Sequence, residues 1–595
     1  MIKKSHSQLT LVQPITPNTV SVLNPSDKLT YIFKCTAKFI GTSKELFIFN
    51  FKDFEIGRFF NITVKPKTIQ NKSNSKNIKN SSTKTNCVPH QDEWNEATYI
   101  PGIRPYKPPS FIKVQNMIYK VPKLYWDVIS KCINERKSQT ECKYDIENAI
   151  PCLSNRLSFQ SYKDRFHALL YLEEIAQTIN IQQYDISSTV MRHCGEYLVM
   201  EVPGLAEKRP SLLVGDRAIV SFKWDSSQEL ADETTIETPK YNGIGLKLNC
   251  TMSILGRHRI TIGTCAALGI LNNMGFPHGH FSHILVDEAG QATEPEIMIP
   301  LNFIRCDYGQ VILAGDPLQL GPVVQSEIAK NFGLNESFLS RLLRHFPYQK
   351  DPNGFETCYD PRLVTKLVIN YRSLPEILEL SSSLFYDSEL KAQISSKKSK
   401  EARLLQILAT ELPKRKDTPP AIIFHGVNGE NCKDDDSPSW YNPEEATQVY
   451  LYLLKLYKCG ISPDDIGIIT PYQKQVLQIR ELLMELDVEL PKISSVEGFQ
   501  GQERNIIIIS AVRSSTNFIN EDIKHSLGFV ACPRRLNVAI TRGRALVIIL
   551  GNPTLLAHDP YWRSVLIYCI NQDSYTGCSF GFPEDTEHSW IEAND

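Results

Sequence analysis

The stretch Phe281-Ser282-His283-Ile284-Leu285-Val286-Asp287-Glu288-Ala289-Gly290 decides the fold of this chain. A short apolar run stops at two carboxylates, the pattern of a buried parallel strand whose C-terminal end opens into a loop. Asp287 and Glu288 therefore emerge where open α/β sheets bind ligands. An acid in that place can hold Mg²⁺ through its water shell while its neighbour aligns an attacking water. By itself an Asp-Glu pair reads as a plain charged loop start. It gains force from a second apolar run at 311–313, which leads into Gly315-Asp316-Pro317-Leu318-Gln319-Leu320. There the carboxylate of Asp316 and the amide of Gln319 suit a γ-phosphate sensor.

Downstream, the chain supplies cations. Asn370-Tyr371-Arg372 and Thr541-Arg542 each set an arginine beside apolar runs, with Gln500-Gly501-Gln502-Glu503 between them. Arginine suits a developing phosphoryl charge because its planar fork is always charged and donates in pairs. One such arginine reads as a surface ion-pair partner. Two in this order, behind the acidic pair, point to a nucleotide site. From Arg257 onward the pattern is strand–loop–helix, with strands expected at 260–262, 284–286, 311–313, 466–469, 506–509 and 546–550. A helix is expected at 474–486, directly after Thr470-Pro471-Tyr472. The Lys/Ser-rich stretch 395–400 and the acidic run 434–436 read as surface loops.

Upstream, residues 161–181 carry Phe166, Leu169, Leu170, Leu172, Ile175 and Ile179 at helical spacing, with Glu173-Glu174 expected on a solvated face. Short strands are expected around 197–202, 212–222 and 243–249, in a small barrel. Proline punctuates Tyr99-Ile100-Pro101-Gly102-Ile103-Arg104-Pro105 and excludes helix there. The Lys/Asn/Ser/Thr tract 65–86 has no acidic residue; it reads as a solvated linker before an RNA-phosphate tether. Ahead of it, β-branched and aromatic positions over 10–66 suggest a small β domain.

A chain of 595 residues exceeds one core, and about four domains is a fair expectation. The net charge of −1 excludes a globally basic coat for polyanions but leaves room for a local basic channel. The N-terminus lacks the apolar core of a signal peptide, and no apolar run is long enough to span a bilayer. Fifteen cysteines include no Cys-x-x-Cys pair, which argues against zinc knuckles and for free thiols in a reducing setting.

These phrases, together with Leu313–Leu320 and Ser439-Trp440-Tyr441-Asn442-Pro443-Glu444-Glu445-Ala446, resemble superfamily-one helicases of the up-frameshift-like branch. Within it the chain is similar to the Armitage or Mov-ten-like RNA helicases over residues 257–553, and more loosely upstream through Tyr171-Leu172-Glu173-Glu174-Ile175 and Val202-Pro203-Gly204-Leu205. The resemblance implies a multidomain chain: an N-terminal β domain (1–66), a basic and proline-rich linker (67–110) and a helical segment plus small β-barrel (111–256). Two RecA-like α/β lobes (257–345 and 346–570) and a C-terminal tail (571–595) follow. It implies ATP and Mg²⁺ as cofactors, with Asp287 and Glu288 handling Mg²⁺ and the hydrolytic water. Gln319 would contact the γ-phosphate and Tyr371 would stack on adenine. Arg372 and Arg542 would be arginine fingers, and Gly501 and Glu503 would hold nucleotide. Thr264, Thr470, Pro471, Tyr472, Ser495 and Val496 would touch single-stranded RNA, mostly at phosphate and sugar, so little sequence preference is expected. The implied activity is ATP-dependent 5′-to-3′ RNA unwinding in piRNA or siRNA silencing. Argonaute or Piwi proteins would be partners, in the cytoplasm and its ribonucleoprotein granules.

One part is missing. No Gly-Lys dipeptide occurs anywhere, so the phosphate loop Gly-x-x-x-x-Gly-Lys-Ser/Thr is absent. That loop wraps the phosphates in backbone N–H groups and supplies a lysine. In the family it precedes the stretch at Arg259–Thr264; here about seven residues separate Asn249 from Arg257, against roughly thirty for a strand-helix unit. Gly243-x-Gly245-x-Lys247 has the wrong spacing, and no helix follows it. The first lobe is therefore expected to be incomplete, with unpaired strand edges, and hydrolysis impaired. The alternative is a pseudo-helicase that scaffolds RNA or silencing proteins. A DNA helicase-nuclease is disfavoured, because no iron–sulfur cysteine cluster or nuclease motif is present.

Overall fold

A computed structural model describes residues 8–13, 31–50, 55–65, 112–113, 119–135, 137–186, 192–194, 197–199, 247–248, 256–413, 415, 419–433, 439–514 and 532–581. The proline strap at 99–109, most of the tract at 65–86, the expected strand at 212–222, Val202–Leu205 and the acidic run 434–436 lie outside them. Of the strands expected around 197–202 and 243–249, the described parts are Tyr197–Val199 and Lys247–Leu248. The chain divides into two compact units. One comprises Met1–Thr68, Leu318–Leu320 and Asp360–Asp595; the other, Ile69–Pro317 and Gly321–Tyr359.

In the first unit six parallel strands form one sheet, in the order Lys492–Ser494, Ile466–Ile469, Arg504–Ser510, Gly543–Gly551, Ile422–Gly426 and Tyr575–Gly577. The inner strands are apolar throughout because helices cover both faces: Ile506 to Ile509 and Leu546 to Leu550 are fully buried. Gly467 lets the ring of Phe499 lie against its strand, where a Cβ would come within 2.7 Å of Phe499 Cε1. The helix Pro443–Lys458 starts with proline in its first turn and with the Asn442 side chain accepting the Glu445 N–H at 3.0 Å. Gln473–Glu485 realises the helix expected at 474–486. Tyr575–Gly577 lies within the stretch expected as a tail, yet it is the sixth strand. It pairs with Phe424–Gly426 after the helix Pro560–Asn571 returns the chain to the sheet. The N-terminal part supplies two antiparallel hairpins, Leu9–Gln13 with Ile32–Cys35 and Gly41–Asn50 with Glu55–Val64. Ile40 between them joins the large core and donates its N–H to Thr447 Oγ1 at 3.1 Å.

In the second unit the helices Lys123–Asn134, Gln139–Ala149 and Tyr162–Gln182 pack into one core with Val324, Phe332 and Leu334. Here one expectation needs correction. Glu173 is half-buried rather than a free solvated acid: its two oxygens accept the N–H groups of Gln325 and Ser326, each at 2.8 Å. It thus caps the start of Glu327–Asn331 from a neighbouring helix. Glu174, its neighbour, is exposed. Glu173→Ala is expected to destabilise this unit by about 1–2 kcal/mol, the usual loss for a capping group, measured by urea denaturation.

The same unit contains a two-stranded parallel sheet, His283–Val286 with Gln310–Leu313, in the register Ile284 to Val311. Its inward side packs Ile284, Val286 and Ile297. Leu285 is 72% exposed, and Val311 and Ile312 are also exposed. The strand expected at 260–262 does not form. Ile260 and Ile262 are 77% and 92% exposed, and no described strand lies beside them to complete a ladder. Among the described residues no helix is long and apolar enough to cross a membrane, and the twelve cysteines whose side chains are described are free thiols.

Candidate nucleotide and RNA site

In the second unit Asp287 and Glu288 follow the strand His283–Val286 and are exposed. Glu288 takes a left-handed backbone (φ 54°); its N–H donates to Asp287 Oδ1 at 2.9 Å, and its Oε2 accepts from Gln291 Nε2 at 2.9 Å. The loops after the two strands touch backbone to backbone. Ala289 N–H donates to Ala314 O at 2.8 Å, and a Cβ on Gly315 would stand 2.8 Å from Gly290 N. Only glycine at both places permits this approach, which brings the Asp287 loop beside Asp316. Thr264 caps the helix Cys265–Asn273, accepting from Ala267 N–H at 3.2 Å. Glu294 is a buried anchor: Arg341 donates Nε and Nη2 to its two oxygens, both at 2.6 Å, and Tyr162 donates its hydroxyl at 2.5 Å. Burial and this hydrogen bond raise the tyrosine pKa.

In the first unit the other candidates form two groups at opposite ends of the six-stranded sheet. At the N-terminal ends of its central strands, Asn370 Oδ1 accepts the N–H groups of Arg372 and Ser373, and Ser373 Oγ donates to Gly543 O at 2.8 Å. That turn leaves Tyr371 69% exposed, open to stacking, and sets Arg372 in an ion pair with Glu503. Arg544, not anticipated from sequence, lies 3.6 Å from Glu503 and also binds Glu401. Gly501 makes the turn before Glu503 with φ 66°. Arg542 is buried, donating from Nε to Val538 O at 3.2 Å and from Nη2 to Gln319 Oε1 at 3.0 Å. Gln319 and Arg542, two expected phosphate contacts, are thus joined to each other.

At the opposite, C-terminal ends, Thr470, Pro471 and Tyr472 follow one strand and Ser495 and Val496 its neighbour. Thr470 N–H donates to Ser494 O at 3.2 Å, tying the two loops together. Its hydroxyl is buried with no hydrogen-bond partner among the described residues. The Val496 side chain belongs to the core, so this position offers only backbone to a ligand. Beneath these loops sits a buried polar group that sequence reading missed: Asn442, Glu445, Gln475 and Ser510. The signal was a capping motif, which reads as a helix start and gives no sign of burial.

The residues fit part of a nucleotide. Within the second unit Asp287 and Glu288 suit Mg²⁺ held through water; within the first, taken by itself, Tyr371, Arg372 and Glu503 suit a purine and phosphate groups. The triphosphate cradle does not fit, because neither the lysine nor the amides of the Gly-x-x-x-x-Gly-Lys-Ser/Thr loop are in the chain.

Comparisons agree with these motifs. Residues 117–183 match the helical domain of helicase MOV-10, 184–248 its beta-barrel domain, and 221–327 and 335–554 match AAA domains. A probable RNA helicase, armi, of Drosophila melanogaster is 50% identical over 338 residues, 56% of this chain and 28% of the relative. RNA helicase Mov10l1 of Homo sapiens is 47% identical over 327 residues, 54% of this chain and 26% of the relative. Regulator of nonsense transcripts 1 of Dictyostelium discoideum is 33% identical over 339 residues, 56% and 22% of the two chains. The match therefore spans less than a third of each of these relatives. A MOV-10 helical domain and beta-barrel thus precede AAA-type helicase domains and a parallel sheet, and the chain belongs to the Armitage and Mov10-like family of RNA helicases.

Proposed function

We propose that this chain comes from an ATP-dependent 5′-to-3′ RNA helicase of small-RNA silencing, keeps the RNA edge of its second lobe, and is impaired as an ATPase. The observation that carries the proposal is the sheet of His283–Val286 and Gln310–Leu313. Two parallel strands with exposed apolar side chains are what remains when the strand-helix unit bearing the phosphate loop is removed from a lobe. The first lobe is incomplete in this reading. The RNA edge rests on Thr470–Tyr472 and Ser495 at the C-terminal strand ends, with backbone and sugar as the contacted parts. A role with piRNA or siRNA, Argonaute or Piwi partners, and a cytoplasmic, granule-associated location follow from the resemblance and belong to the proposal.

The missing cradle also favours a second reading, a scaffold that binds RNA without turning over ATP. RNA-stimulated phosphate release separates the two. Equal background rates in the chain and in its Glu288→Gln variant are expected for a scaffold. Turnover that Glu288→Gln abolishes would sink the scaffold reading and assign residual catalysis to this chain.

A further inference from the structure

We propose that Glu445, assisted by Asn442, is a positioning residue that locks the loops after Ile469 and after Ser510 into one arrangement, and so shapes the edge that meets single-stranded RNA. The proposal rests on the RNA edge assigned above. It begins with Val512, a fully buried β-branched residue held at φ 71°. Arg513 N–H donates to Ala511 O at 2.8 Å, so residues 511–513 form a γ-turn of the strained kind, with a positive central φ. Such a turn persists only where its surroundings over-determine it. They do so here through both polar groups of the Val512 backbone. Its N–H donates to Glu445 Oε2 at 2.9 Å, and its carbonyl accepts from Asn442 Nδ2 at 3.1 Å.

The same carboxyl oxygen is linked to the other loop through two side chains. Ser510 Oγ donates to Glu445 Oε2 at 2.6 Å and accepts from Gln475 Nε2 at 3.1 Å. Gln475 stands in the first turn of the helix that follows Thr470-Pro471-Tyr472, and its Oε1 accepts the Asn442 N–H at 2.8 Å. Ser439 Oγ accepts the Lys474 N–H at 3.1 Å, which fixes the same turn from the side. The chain Val512–Glu445–Ser510–Gln475 thus couples the two loops through fully buried groups. Burying a carboxyl is costly where a leucine would fill the space, and that cost is met only by geometry the acid imposes. Burial pushes the Glu445 carboxyl up to about 8, and Glu445→Gln keeps the acceptor oxygen that Ser510 and Val512 use.

The test uses the full chain with four changes: Glu445→Gln, Glu445→Ala, Val512→Gly, and the last two combined. Amide hydrogen exchange over 511–514 and 473–476 is read beside the affinity for a fluorescent uridine oligonucleotide. Glu445→Ala is expected to lose protection in both segments and about tenfold in RNA affinity, with Glu445→Gln near the parent. Val512→Gly relieves the turn, so it should recover part of that loss of protection and affinity in the double variant. Parental affinity in folded Glu445→Ala, or an equal loss with and without Val512→Gly, overturns the proposal. Should Glu445→Ala not fold, Ser510→Ala, which removes the link from Glu445 to Gln475, is read instead, and parental protection over 473–476 with parental affinity overturns the proposal. A parent that binds no RNA fails the RNA-edge reading, and the exchange pattern then decides the positioning role by itself.

Discussion

Inserting a strand-helix unit with Gly-x-x-x-x-Gly-Lys-Ser/Thr ahead of Arg257 should raise RNA-stimulated ATP turnover at least about 10³-fold. The acids that follow the phosphate loop in such a lobe already stand at their strand ends. Asp287 and Glu288 are exposed, and their loop is pinned to the next one by the Gly290 and Gly315 approach. The insert supplies what is absent: loop amides, a lysine for the β- and γ-phosphates and a hydroxyl for Mg²⁺. It also supplies an inner strand, so exposed side chains such as Leu285 and Ile312 gain partners and the unit should melt at a higher temperature. Phosphate release and thermal unfolding on the same preparations check both effects. Glu288→Gln in the extended chain should return turnover to the starting level. An extended chain that folds but hydrolyses no faster would show that the loop is not the missing element.

The largest stability effect is expected at Glu294. Its carboxylate is 3% exposed and accepts two bonds from Arg341 and one from Tyr162. Glu294→Ala leaves the Arg341 guanidinium and the Tyr162 hydroxyl without their acceptor, at a cost of about 3–5 kcal/mol to the second unit. Replacing all three together, Glu294→Leu, Arg341→Met and Tyr162→Phe, should cost far less, since no charge or donor is then stranded. Hydrogen exchange over Tyr162–Gln182 and Glu294–Leu301 reads both changes. A triple variant as unstable as Glu294→Ala would mean that packing, not the ion pair, sets the value.

Much of this was legible in the sequence, for a physical reason. Parallel strands buried on both faces must be apolar runs, so 466–469, 506–509 and 546–550 announce themselves, and an acid at a run's end marks the ligand edge. The run at 260–262 carries the same signal but has no described neighbour to pair with, and strand identity needs a ladder. Tyr575–Gly577 was missed because three residues are too few for a periodicity. Glu173 and Glu445 were misread or passed over for a common reason. Local spacing shows a helix face or a cap, whereas their partners, Ser326 and Val512, lie far away along the chain.

The proposed RNA edge lies at one end of an intact sheet, in a chain whose sequence carries no phosphate loop. The decisive measurement is the dissociation constant for a fluorescent single-stranded RNA, read with and without ATP and Mg²⁺. The expected result is measurable binding with the same constant in both conditions. An affinity that moves several-fold with ATP, or no binding in either condition, would contradict an RNA-holding chain uncoupled from nucleotide.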